Sequence, residues 1–89
     1  MRRPQFQAFL VTRYRGPVSG EPLSVRSSLS YGSKVGRVED RLGVNVDDED
    51  LTEGGIAALM TRLAATKRMP KSALNDCRSA LRAYAQFAD

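Results

Sequence analysis

Arg26, Ser30, Lys34, Arg37 and Arg41 recur at intervals of three and four residues, the spacing that aligns side chains along one helix face. At about 100° per residue they fall within an arc of roughly 80°. Lys71, Asn75, Arg78, Arg82 and Gln86 repeat the pattern near the C-terminus, again within roughly 80°. Long cations interleaved with hydroxyl and amide groups suit a polyanion: cations neutralise phosphates, and Arg and Asn make bidentate contacts to base edges in a major groove. Any amphipathic helix has a polar face. These two differ in sign, because Glu39, Asp40 and Asp76 all fall outside the arcs.

Other chemistries are poorly supplied. The chain has no histidine, which removes Ser-His-Asp and Cys-His nucleophile systems and any zinc site with His ligands. Its one cysteine, Cys77, cannot form a disulfide framework and points to a reducing compartment. Cys77 lies among leucines, where a buried thiol is inert. Tyr14, Tyr31 and Tyr84 sit at helical spacing and read as packing residues, and Met60 and Met69 need no cofactor to explain them. The segment "VNVDDEDLT" lacks the alternating acids, central Gly and distal Glu of a calcium loop. Its acids instead suit the positive end of a following helix. The sequence therefore implies no catalytic residues, no metal and no cofactor, and a chain that is not an enzyme by itself.

The 89 residues make one small domain, with 42% hydrophobic and 27% charged residues, at the size where a single core is only just sufficient. No apolar run is long enough to span a membrane, and the N-terminus lacks the core of a signal peptide. Fourteen bases against ten acids give a net charge of +4. Five of the acids (Asp47, Asp48, Glu49, Asp50 and Glu53) share one short segment without a base. A basic body with one acidic loop fits either a polyanionic partner, nucleic acid being the commonest, or a solvated surface.

Four helices must position the two stripes. Phe6, Phe9, Leu10 and Tyr14 mark the first, over about 4–14, with Pro4 in its first turn. "RGPVSGEPLS" breaks the chain with two glycines and two prolines. Ser24 can cap a second helix over 25–42, which Gly43 stops. Thr52 can cap a third over about 52–66, with Ile56, Leu59, Met60 and Leu63 on one face, although Gly54 and Gly55 weaken its first turn. Pro70 then separates a fourth over about 72–87, with Leu74, Cys77, Leu81, Tyr84 and Ala88 on one side. The expected fold is all-α, a compact four-helix bundle.

On the second helix Val25, Leu29, Tyr31, Val35, Val38 and Leu42 form the apolar arc opposite the stripe, and Gly32 and Gly36 fall inside it, each costing roughly 1 kcal/mol relative to Ala. Two readings are open: small residues four apart admit a close neighbour helix, or one glycine kinks or ends the helix. The leading "MRRP" reads as an arm to a phosphate backbone or as a loose tail.

The order of features, "FQAFL", then "SLSYGSKVGRVEDRLGV", an acidic turn with "LT", and a closing "KSALNDCRSALRAYAQF", resembles the N-terminal core-binding domain of tyrosine recombinases and phage integrases. Ser28, Tyr31 and Ser33 approximate that family's middle motif, and Ser79, Ala80, Leu81, Arg82, Tyr84 and Phe87 its closing one. The likeness runs from about Phe6 to Phe87. It implies a SAM-like four-helix module of a bacterial or phage-encoded cytoplasmic protein, gripping double-stranded DNA with its second and fourth helices. Arg26, Ser30, Lys34, Arg37, Arg41, Lys71, Asn75, Arg78 and Arg82 would then contact DNA. The family's catalytic arginines, histidine and tyrosine belong to another domain. The chain is thus either a fragment of a recombinase or a free-standing relative that partners a recombinase catalytic domain or other copies of itself. A different class of function is a helical interaction module that docks an acidic partner or self-associates.

Overall fold

The helix boundaries follow the capping residues. A computed structural model describes residues 1–66 and 68–89 and has four α-helices in chain order: α1 (Arg3–Thr12), α2 (Val25–Leu42), α3 (Glu53–Ala65) and α4 (Lys71–Ala88). A single 3₁₀ turn, Val46–Asp48, lies between α2 and α3, and no strand occurs among the described residues. Ser24 caps α2, its hydroxyl accepting from the Ser27 N–H, and Thr52 caps α3 through the Gly55 N–H. Gly43 ends α2 in the left-handed region, φ 64°, the conformation for which glycine is the usual choice.

Several boundaries differ from the sequence reading by one or two residues, and two of them have a visible cause. Helix α1 ends at Thr12, because the N–H groups of both Arg13 and Tyr14 turn back to the Phe9 carbonyl. Tyr14 is therefore off the helix, yet only 5% exposed. Helix α4 starts one residue early, at Lys71, with Pro70 at its cap position and no side-chain cap. Ser72 stands inside its first turn, and Ala88, the last residue of the helix, is exposed instead of facing the core.

Helix α2 packs against both α1 and α4, while α3 packs mainly on α4. The result is an all-α four-helix bundle of 34 × 25 × 21 Å. Leu10, Val35, Val38, Leu63 and Leu81 are fully buried, with Phe6 and Tyr84 the largest side chains among them. The three phenylalanines and three tyrosines form one connected chain of rings, from Tyr31 through Tyr14, Phe9 and Phe87 to Tyr84 and Phe6. Such edge-to-face and tilted pairs each add about 0.5–1.5 kcal/mol beyond the area they bury.

The glycines of α2 neither kink nor end it. Gly32 is buried and Gly36 half-buried, and both face α1. Side chains, not helix backbone, fill the space they leave. A Cβ on Gly32 would stand 2.7 Å from Gln7 Nε2, and one on Gly36 2.8 Å from Arg3 Nη2. The Arg3 guanidinium lies in this notch and donates to the Gly32 carbonyl at 2.7 Å. The close-neighbour reading thus holds in altered form: the small residues seat a cation of α1. One part of the apolar arc fails as core. Val25 and Leu29 stay 67% and 53% exposed, since α1 covers the edge of α2 at Gly32 and Gly36 and nothing covers the edge beyond.

The N-terminal residues form neither a loose tail nor a free arm. The Met1 amine bonds Glu39 Oε2 and Asn45 Oδ1, each at 3.0 Å. The Arg2 N–H donates to the Tyr84 hydroxyl at 3.0 Å, and its guanidinium lies 4.7 Å from the Phe87 ring centroid. Asp47 joins this knot by accepting from Tyr84 at 2.6 Å and from Arg2 Nε at 3.3 Å. The Tyr84 hydrogen bond, followed by Arg2, holds the Asp47 carboxyl below its ordinary pKa, while burial pushes the Tyr84 phenol up.

Candidate nucleic-acid interface

Whether the two stripes form one surface depends on how α2 and α4 lie against each other. Tyr31 shares a cavity with Ser79 and Arg82. Three residues further along α2, Lys34 Nζ lies 3.8 Å from Asp76 Oδ2, and the Lys34 carbonyl faces Cys77 Sγ at 3.9 Å. Advancing along α2 means retreating along α4, so the helices are antiparallel. On each helix the stripe is offset from the seam by roughly a quarter turn, in the same rotational sense. Antiparallel neighbours with offsets of the same sense present both stripes to one side of the molecule. Parallel neighbours would have placed them on opposite sides.

Arg26, Arg37, Arg41, Lys71, Asn75, Arg78 and Arg82 are exposed, and Ser30 and Lys34 half-buried. Among the described residues Arg26, Arg37, Arg41, Lys71 and Arg78 have no carboxylate partner. Two stripe cations do. Lys34 meets Asp76, and Arg82 Nη2 donates to Glu53 Oε2 at 3.1 Å. Acid-free stripes on the wheel therefore gain acids in three dimensions, one from across the seam and one from the start of α3. The Arg82 pair is largely exposed and the Lys34 pair, at 3.8 Å, reaches solvent through Asp76, so each contributes only about 0–1 kcal/mol.

The helix ends add a further observation. Neither α2 nor α4 has an acid in its first turn, whereas Arg26 and Lys71 stand there. A cation at the positive end of a helix is unfavourable by about 0.3–1 kcal/mol. Helix α3 shows the ordinary arrangement, with Glu53 in its first turn. Arg41 is the exception among the stripe cations, since the last turn of α2 favours a base.

Two cations of the same surface lie outside every helix and carry no periodic signal. Gln86, part of the α4 stripe, accepts from the Arg15 N–H at 3.0 Å and donates to the Arg15 carbonyl at 3.5 Å. Arg15 is thereby fixed beside Arg82. Arg68 lines a groove with Arg41, Asp40 and Thr66, where the chain leaves α3.

No family model, no curated protein and no solved structure matches the chain. The motif residues that carry the resemblance stated above have mainly structural work: Ala80, Leu81 and Tyr84 are buried, and Ser28 turns its hydroxyl to the Val25 carbonyl at 2.7 Å. Ser33, Ser79 and Arg82 are exposed.

The remaining candidates are quiet. Cys77 is buried. Burial raises its thiol pKa, only partly offset by the nearby charges of Arg37 and Lys34, so it stays protonated and unreactive. Three acids of the loop are engaged within the chain: Glu49 with Arg62, Asp50 with Thr52, and Asp47 in the N-terminal knot. No group of three or more His, Cys, Asp or Glu placed to hold a metal occurs among the described residues, nor does a helix long and apolar enough to cross a membrane.

Proposed function

We propose that the chain is a non-catalytic DNA-binding module that grips duplex DNA with the face shared by α2 and α4, as in the core-binding domain of tyrosine recombinases. The observation that carries this reading is the antiparallel packing that turns two basic stripes to one side. Five of their cations are left without carboxylates, two of them at helix ends where the fold alone disfavours a base. An anion laid across the face satisfies both. The module needs no cofactor, and a recombinase catalytic domain or further copies of the chain are its expected protein partners.

Fluorescence anisotropy with a labelled duplex, from 50 to 300 mM salt by order of magnitude, tests this. If the five unpaired cations meet five phosphates, log K falls against log salt with a slope of about −4.5. Arg37→Gln and Arg78→Gln each reduce that slope by about 1. Arg82→Gln reduces it less, because Glu53 already neutralises that charge. Duplex affinity indifferent to salt and to these changes refutes the reading. Equal affinity for polyglutamate would favour the interaction module with an acidic partner, a reading to which the exposed Val25 and Leu29 lend an apolar edge.

A further inference from the structure

The loop between α1 and α2 has a construction that neither the core nor the stripes explain. It is closed on itself: the Gly16 N–H donates to the Glu21 carbonyl at 3.2 Å and the Gly20 N–H to the Gly16 carbonyl at 3.0 Å. Its two ends are fixed. On one side the Gln86 amide holds both backbone groups of Arg15, and on the other the Leu23 N–H bonds the Leu10 carbonyl at 2.8 Å. At its tip Val18 is 99% exposed, the most exposed large hydrophobic side chain of the chain. A loop this well tied presents an apolar residue to water without burying any of it.

The position of the loop gives that residue a use. Arg15 and Pro17 line a cavity of about 260 Å³ with Tyr14, Tyr31, Ser79 and Arg82. Arg82 and Gln86 belong to the α4 stripe, so the loop rises from the edge of the basic face. Its only acid, Glu21, is held at the base of the loop by the Gly16 bond, where Arg13 and Arg15 also stand, so the base carries two cations against one acid and the tip carries no charge.

We infer that the α1–α2 loop is a third nucleic-acid contact, in which Arg15 meets a phosphate and Val18 enters the minor groove next to the major groove held by α2 and α4. Neighbouring grooves on one side of a duplex are separated by about half of the roughly 34 Å helical repeat, and the molecule measures 34 Å along its longest axis. A closed loop with one apolar side chain at its tip suits the narrow minor groove, about 6 Å wide, where apolar side chains commonly press between base steps beside Arg or Lys. This inference rests on the duplex-binding reading.

The test compares Arg15→Gln, Val18→Ser, Arg37→Gln and, as a control on the exposed edge of α2, Val25→Ser. All four side chains are exposed, and circular dichroism verifies that each variant is folded. Arg15→Gln is expected to reduce the salt slope by about 1. Val18→Ser is expected to weaken binding about fivefold to tenfold at every salt concentration, with no change of slope. Val25→Ser is expected to bind as the parent does. Hydroxyl-radical footprinting is expected to show minor-groove protection that the Arg15→Gln, Val18→Ser double variant loses. If Arg37→Gln weakens binding but Arg15→Gln and Val18→Ser do not, the loop inference is overturned and the helical interface stands. If the parent chain fails to bind duplex at all, both are overturned.

Discussion

Gly54 and Gly55 are neighbours in the first turn of α3, and the same substitution in each should have opposite effects. An alanine Cβ at Gly54 meets nothing closer than Thr52 Oγ1, at 4.0 Å. Gly→Ala at such an open position restricts the unfolded chain and favours the helix, a gain of about 0.4–1 kcal/mol. At Gly55 the added Cβ would overlap the carbonyl of Asp50. That carbonyl belongs to the backbone of the tight turn that leads into the Thr52 cap, where Asp50 accepts from both the Thr52 N–H and hydroxyl. It has no flexible end to swing away, so the turn and the cap must shift together. Overpacking of this kind costs about 3 kcal/mol, to which loss of the cap adds about 1 kcal/mol. For a domain of this size each kcal/mol moves the melting temperature by about 4–8 °C. Gly54→Ala should therefore melt a few degrees above the parent, and Gly55→Ala about 15–30 °C below it. Thermal melts and urea titrations followed by far-ultraviolet circular dichroism read both. Equal stability of the two variants would refute the placement of Asp50 over Gly55.

The N-terminal knot and the contacts of α1 can be tested by four further variants. Tyr84→Phe removes the hydroxyl that bridges the Arg2 N–H and Asp47 and should cost about 1–3 kcal/mol by urea titration. Because Asp47 has its carboxyl pKa lowered by folding, its contribution is present above the ordinary carboxylate value of about 3.9 and disappears as pH falls through the lowered one. Asp47→Asn should accordingly flatten the loss of stability below about pH 4. In the notch of α2, Gly36→Ala moves the Arg3 guanidinium, the end of a flexible side chain, off the Gly32 carbonyl; helix propensity offsets that loss, and the urea midpoint should stay close to the parent's. Gly32→Ala meets Gln7 and Arg3 together in a buried position and should lower it.

Features set by neighbours in sequence were legible in the sequence. Ser24, Thr52 and Gly43 punctuate α2 and α3 as their types dictate, and Ile56, Leu59, Met60 and Leu63 are all buried. The stripes were legible for the same reason, since residues three and four apart share a face. Contacts between residues distant in the chain were not. Nothing near Gly32 in the sequence points to Arg3, and nothing near Arg82 points to Glu53, 29 residues away. Val25 and Leu29 share the apolar arc with buried residues, and only the path of α1 decides that they stay exposed. Arg15 and Arg68 escaped because a helical wheel says nothing about loops. The glycines of α3 read as a weakness, when one of them is the only residue that fits beneath the Asp50 carbonyl.

The residues behind the family resemblance and the residues behind the proposed function are largely different sets. Ala80, Leu81 and Tyr84 close the core and fasten the N-terminal segment. They would be needed by any chain of this shape, whatever it bound. Arg37, Arg41 and Arg78 take part in no hydrogen bond or ion pair among the described residues, so the fold does not depend on them for either. Arg26 and Lys71 oppose the dipoles of their own helices. A side chain that the fold does not require, held where the fold disfavours its charge, is most simply explained by an external anion. Two of the five cations without a carboxylate are so placed, and the spread of all five along two antiparallel helices gives the proposed anion the dimensions of a backbone rather than of a single ion. Charges that the bundle leaves unpaired thus favour a duplex as the proposed ligand independently of the motif likeness.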